Sequence, residues 1–134
     1  MRLDKPRLPV HSVDSETSLS DLVAALDGVQ QVAIDAERAS GFRYSQRAYL
    51  IQIAVRDLGI WLVDPVADID LTDLIAPLNS KTWLLHAATQ DLPCLAELGF
   101  KPAGLIDTEL TARIVGLERV GLGSVCESLL QIEL

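Results

Sequence analysis

The chain has 134 residues, of which 49% are hydrophobic, enough for one domain with a real core and too apolar for intrinsic disorder. Its 11 Lys and Arg stand against 19 Asp and Glu, a formal net charge of −8, which argues against a globally basic nucleic-acid binder. Two cysteines, Cys94 and Cys126, are too few for a disulfide scaffold and read as reduced core thiols.

Residues 1–16 are proline-rich and read as an extended lead-in carrying Arg2, Lys5 and Arg7. No apolar h-region follows, so no signal peptide is visible, and no apolar run approaches the roughly 20 residues that cross a bilayer. The expectation is a cytoplasmic protein without membrane contact. Ser18 to Leu26 predicts a short amphipathic helix, with Leu19, Leu22, Val23 and Leu26 on one face, Ser18 as N-cap and Gly28 closing it. Gln31 to Glu37 reads as a first strand, residues 38–48 as an irregular polar loop, Leu50 to Val55 as a second strand. Gly59 to Val63 is a third strand after the tight Arg56-Asp57-Leu58-Gly59 turn, so the three form an antiparallel meander, stopped by Asp64-Pro65.

Beyond that point the pattern alternates. Asp70 to Leu78 predicts a helix, Thr82 to His86 a short strand, and Thr89 or Gln90 to Leu98 a helix ended by Gly99. Gly104 to Ile106 is a short strand, Asp107 caps a helix from Thr108 to about Val115, and Ser124 to about Leu130 is a last helix. The fold class is α/β: a mixed five-stranded sheet, antiparallel 1-2-3 with parallel additions and flanking helices, in one domain over 1–134. That order is the outline of a ribonuclease H-like sheet.

The sharpest chemical feature is Asp35-Ala36-Glu37, which closes the apolar strand Val32-Ala33-Ile34. Residues i and i+2 of a strand share a face, so two carboxylates project together. Like charges this close resist joint ionisation unless a cation offsets them, and hard oxygen ligands suit Mg²⁺ or Mn²⁺. A solvated strand end is the alternative. His86-Ala87-Ala88-Thr89-Gln90-Asp91 follows a strand and opens a helix, placing Asp91 in the first turn. If that strand lies beside the first, Asp91 reaches the same end of the sheet and supplies a third carboxylate, as a two-metal phosphoryl-transfer site requires. Taken singly, Asp91 is an ordinary first-turn acid and His86 a polar strand end. Between Arg38 and Arg56 the chain holds four bases (Arg38, Arg43, Arg47, Arg56) and no acid, with Phe42, Tyr44 and Tyr49 interleaved. Arginines neutralise phosphates and aromatic rings stack on unpaired bases, so this segment reads as a nucleic-acid contact; a solvated loop is the bland counterpart.

In combination these stretches resemble the DEDD family of 3′–5′ exonucleases, in its ribonuclease D branch. Val32-Ala33-Ile34-Asp35-Ala36-Glu37 looks like the first exonuclease motif, and His86 to Asp91 looks like the second. Arg38 through Tyr49-Leu50-Ile51-Gln52-Ile53, Leu105-Ile106-Asp107-Thr108 and Gly121-Leu122-Gly123-Ser124 also fit the branch. The resemblance implies metal-dependent hydrolysis at RNA 3′ ends, tRNA precursors included, with two divalent cations, Mg²⁺ or Mn²⁺, held by four acids. Asp35, Glu37 and Asp91 would be three of them. Arg38, Arg43, Tyr44, Arg47, Gln52 and His86 would contact a single-stranded RNA tail. The branch's third motif, Y-x-x-x-D, supplies the last acid and a Tyr that positions the water; here no Asp follows Asp107 and no Tyr follows Tyr49. The expectation is a domain cut short before that motif, poorly active, and able to self-associate through the surface left uncovered.

Two other classes fit parts of the pattern. A non-catalytic nucleic-acid or protein-binding module would keep the fold without the chemistry. A phosphoacceptor receiver domain also uses carboxylates at strand ends, with Asp64 as acceptor, but needs strictly alternating strands and helices.

Overall fold

The computed structural model describes residues 1–38 and 48–134. One sheet organises them, in the order β1-β4-β3-β2-β5-β6. Its strands are β1 (Val10–Val13), β2 (Gln31–Arg38), β3 (Ala48–Val55), β4 (Gly59–Val63), β5 (Thr82–Leu85) and β6 (Gly104–Asp107). The antiparallel pairs are β2 with β3 and β3 with β4. β1 with β4, β2 with β5, and β5 with β6 are parallel. The meander and its parallel additions are thus as the sequence predicts, and the antiparallel centre excludes the receiver-domain arrangement.

One strand is missed. The sheet has six strands, not five, because residues 10–13 of the expected lead-in join β4. Val10-His11-Ser12-Val13 is too short and too polar to announce itself, and only Val13 is buried. Its pairing comes from the free edge that β4 offers, a non-local cause.

Strand periodicity explains where the core lies. Val32, Ile34 and Ala36 of β2, Ile51, Ile53 and Val55 of β3, Trp61 and Val63 of β4, and Trp83 and Leu85 of β5 are all buried. They meet Leu19, Leu22 and Leu26 from α1 (Glu16–Ala25) and its end, and Leu74 and Leu78 from α2 (Thr72–Asn79). Cys94 and Leu95 from α3 (Ala88–Glu97) join the same cluster. Trp83 is fully buried and its indole N–H donates to the Leu78 carbonyl at 3.0 Å, which satisfies the one polar atom of that ring. The opposite sheet face is open, with Ala33, Asp35, Gln52, Ala54 and Leu84 lining a groove of about 510 Å³. The lead-in runs along its far end, where Met1 and Leu3 exchange backbone hydrogen bonds with Glu133.

α1 starts earlier than its apolar stripe suggests. Ser15, not Ser18, is the N-cap: the Ser15 hydroxyl accepts from the Ser18 N–H at 3.2 Å, and the Ser18 hydroxyl accepts from the Ser15 N–H at 3.0 Å. This is a capping box with serine in the return position. Ser15→Ala should cost about 1 kcal/mol and lower the melting temperature by about 4 °C, read by thermal denaturation. A change below one degree would show that the box contributes nothing.

The remaining helices are α4 (Thr108–Ile114), capped by Asp107, and α5 (Leu122–Leu130). Their apolar side chains are mostly outside: Leu110, Ile114, Val115, Leu129 and Leu130 are all exposed. Asp64 makes the expected turn, accepting from the Val66 and Ala67 N–H groups at 2.8 and 3.1 Å. Cys94 is buried and Cys126 half-buried, both free. Among the described residues no helix is long and apolar enough to cross a membrane.

Candidate active site

β2 is longer than its neighbour. Its ladder with β5 ends at the Ala33–Leu84 pair, so residues 35–38 run on past the end of β5. Asp35 and Glu37 lie on the exposed face of this overhang, with Ala36 buried between them. On the other side β3 stays paired, Asp35 opposite Gln52, and the Gln52 amide donates to Asp35 Oδ2 at 3.1 Å. The register slips between Glu37 and Arg38, whose partners are Leu50 and Ala48, so Tyr49 is an extra residue in a bulge. Bulges twist a strand and re-aim its side chains, and this one sits directly beside Glu37. Tyr49 is left exposed.

α3 fills the space that β5 vacates. Asp91, in its first turns, is 7% exposed and is one of only two buried charged side chains among the described residues. Burial first and the Asp35 charge second raise the Asp91 pKa to about 6; Arg38 and the Ala36 backbone N–H pull the other way, and Glu37 adds a smaller upward push. Asp35, Glu37 and Arg38 thus all act electrostatically on Asp91. Among the described residues, no three His, Cys, Asp or Glu side chains are drawn together tightly enough to cage a metal ion as they stand. The donor chemistry nevertheless fits a hard divalent cation: three carboxylates on one edge, one of them disfavoured as an anion by its neighbour.

The loop before α3 is held from β6 and α4. Asp107 accepts from the N–H groups of Ala87 at 3.2 Å and Ala88 at 2.9 Å, and also from Glu109 and Leu110 at 2.9 and 3.2 Å. These backbone donors hold its carboxyl below the usual carboxylate range against the opposing effect of burial. Thr108 donates its hydroxyl to the Leu85 carbonyl at 3.2 Å and receives His86 Nδ1 at 2.9 Å. A hydroxyl has one proton: when it goes to the Leu85 carbonyl, Nδ1 carries the imidazole N–H and Nε2 presents a lone pair. Nε2 is buried and has no hydrogen-bond partner among the described residues. His86, Thr108, Asp35 and Gln52 line one end of the open groove.

The structure separates what the sequence counted together. Arg38 stands at the acidic edge, while Arg56 follows the last residue of β3, at the opposite end of that strand. A tally along the chain merged the two because β3 carries the backbone away from the site at about 3.3 Å per residue. Arg43, Tyr44 and Arg47, with Phe42, lie outside the described residues.

A family model described as 3′–5′ exonuclease matches residues 10–134, nearly the whole chain. The chain belongs to this 3′–5′ exonuclease family. Within it the likeness is to ribonuclease D. The chain is 30% identical over 126 residues to ribonuclease D of Haemophilus influenzae, covering 91% of this chain and 31% of that protein. The crystal structure of Escherichia coli RNase D superposes with a TM-score of 0.80 at 28% identity, covering 92% of this chain and 34% of that one. A protein from Bifidobacterium adolescentis gives 0.87 at 38%, over 98% and 33%. The chain therefore spans about a third of the length of the curated relatives it matches. It is a DEDD-type exonuclease domain of the ribonuclease D branch with a ribonuclease H-like fold.

What the sequence reading missed in this exonuclease domain is Asp107. Its position before an apolar helix signals a cap, and it does cap α4. Its second duty, at the start of α3, has no local signal, because the two segments are 19 residues apart. The one hint was that His86-Ala87-Ala88 offers no Ser, Thr, Asp or Asn to cap its own helix.

Proposed function

We propose that this domain is a metal-dependent exoribonuclease that removes nucleotides from the 3′ end of RNA, with Asp35, Glu37 and Asp91 holding divalent cations, Mg²⁺ or Mn²⁺. The observation that carries it is the electrostatic coupling of Asp91 to Asp35 and Glu37, in which burial first and the Asp35 charge second raise the Asp91 pKa. Escherichia coli RNase D is described as an exoribonuclease involved in structured RNA processing, and that description supports RNA as the substrate class here.

The roles divide by chemistry. Asp35, Glu37 and Asp91 would hold the divalent cations, which would supply positive charge against the negative charge developing on the phosphoryl oxygens and make water a better nucleophile. Gln52 holds Asp35 by its 3.1 Å hydrogen bond and so fixes the direction of that carboxylate. Arg38, at the same edge, offers a guanidinium to the phosphate chain, with Arg43 and Arg47 in the following segment and Tyr44 to stack on an unpaired base. His86, which lines the same groove as Asp35, offers its ring to a sugar hydroxyl. Residues 108–134 contain neither an Asp nor a Tyr to play the third motif's part, so the 134-residue chain is expected to trim slowly.

The test is a 5′-labelled RNA with a single-stranded 3′ tail, incubated with Mn²⁺. Products should shorten stepwise from the 3′ end and disappear in EDTA. A folded protein that gives no metal-dependent ladder, or that shortens from the 5′ end, refutes the reading. Within it, His86→Ala is expected to lower kcat/KM for RNA about tenfold, the effect of one lost hydrogen bond to the substrate. Unchanged kcat/KM would remove His86 from the site.

A further inference from the structure

Asp107 and Thr108 are adjacent, yet between them they grip four consecutive residues of another segment. Asp107 takes the N–H groups of Ala87 and Ala88, while Thr108 takes the Leu85 carbonyl and His86 Nδ1. The gripped segment is conformationally unfavourable. Ala87 has φ 59° and ψ 56°, the left-handed region that a residue with a Cβ rarely enters. Such a conformation persists only where the surroundings over-determine it. The segment also begins a helix without a side-chain cap of its own, since Ala87 is the N-cap residue of α3.

We propose that Asp107-Thr108 is a positioning clamp: by capping α3 from a neighbouring strand and pinning left-handed Ala87, it sets the start and direction of the helix that carries Asp91 to the β2 overhang. The carboxylate of Asp107 contributes two oxygens to two helix N-termini at once, one for Ala88 and one shared by Ala87, Glu109 and Leu110. A neutral amide at this position has one acceptor oxygen and turns an N–H₂ toward donors, so it can serve one helix but not both. The Thr108 hydroxyl adds the second grip, on the Leu85 carbonyl and His86 Nδ1. Neither residue hydrogen-bonds Asp91; both act through the backbone between them. The consequence for cation binding rests on the metal-site reading above, whereas the grip on the loop does not.

The experiment compares the 134-residue wild type with Asp107→Asn and Thr108→Val by two readouts. Amide hydrogen exchange without metal reads the clamp alone. Asp107→Asn should speed exchange at residues 88–91 at least tenfold while the amides of β2 and β3 keep their protection. Uniform acceleration over the whole chain, or none, overturns the clamp. Mn²⁺ binding, followed by electron paramagnetic resonance, reads its effect on the site. Asp107→Asn should weaken it at least tenfold and Thr108→Val severalfold. Wild-type affinity in both variants overturns the positioning role. Ala87→Gly in the Asp107→Asn background separates positioning from plain stability, because glycine relieves the left-handed strain without restoring the grip. It should recover the melting temperature but not the Mn²⁺ affinity; recovery of both overturns the proposal. A wild type that binds no Mn²⁺ refutes the metal-site reading, and the exchange result then stands or falls independently.

Discussion

Asp35→Asn is expected to lower Mn²⁺-dependent trimming of a 3′-tailed RNA by about 10³-fold, to the metal-free background, equivalent to about 4 kcal/mol of lost transition-state stabilisation. The substitution keeps the volume and one acceptor oxygen, so the 3.1 Å hydrogen bond from Gln52 can persist. What it removes is the charge, and with it the strongest reason for a cation to sit at this edge. Asp35 is exposed and outside the core, so folding should be unaffected. The circular dichroism spectrum and the metal-free melting temperature should match the wild type, while the rise in melting temperature on adding Mn²⁺ disappears. Retention of more than a tenth of the activity would show that Asp35 does not hold the metal.

Asp91→Asn separates stability from function in the opposite direction. The native pKa of about 6 lies above the usual carboxylate value near 4, chiefly because the group is buried and secondly because Asp35 is close. The folded state therefore holds a proton that the unfolded chain has already released between about pH 4 and pH 6. The Asp91 contribution favours folding most at or below pH 4, falls as pH rises through this window, and is flat above it. At pH 7 the charged group costs about 3 kcal/mol. Asp91→Asn should therefore raise the metal-free melting temperature at pH 7 by about 10 °C. The difference between variant and wild type should shrink toward zero near pH 4. A pH-independent difference would mean that the asparagine acts by packing rather than by charge. The same variant should lose Mn²⁺-dependent stabilisation and trimming, so a more stable protein becomes a less active one. Site residues held at an energetic disadvantage commonly show this trade-off.

How much was legible depended on whether the cause was local. The paired carboxylates were readable because a strand alternates with period two, so Asp35 and Glu37 had to share a face wherever the strand lay. The β3–β4 hairpin was readable because its short turn carries Asp57 and Gly59 between apolar runs. The first strand was not readable, since its four residues pair only because β4 presents an edge. The four-arginine cluster was over-read: proximity along the chain placed Arg56 near Arg38, and β3 carries them to opposite ends of a strand.

The amino-acid sequence by itself determined the α/β class, the antiparallel centre of the sheet, the carboxylate pair and the acid in the first turns of a later helix. Each of these follows from side-chain period and capping preference within a few residues. The tertiary structure alone decided that Asp91 comes within electrostatic reach of that pair, because α3 packs against β2. It alone decided that Asp107, a helix cap by its local pattern, also caps the helix that carries Asp91. Hydrogen-bond donors at a strand end and at a helix start must find partners, and the partners they find are set by which elements pack together rather than by what stands next to them in the chain.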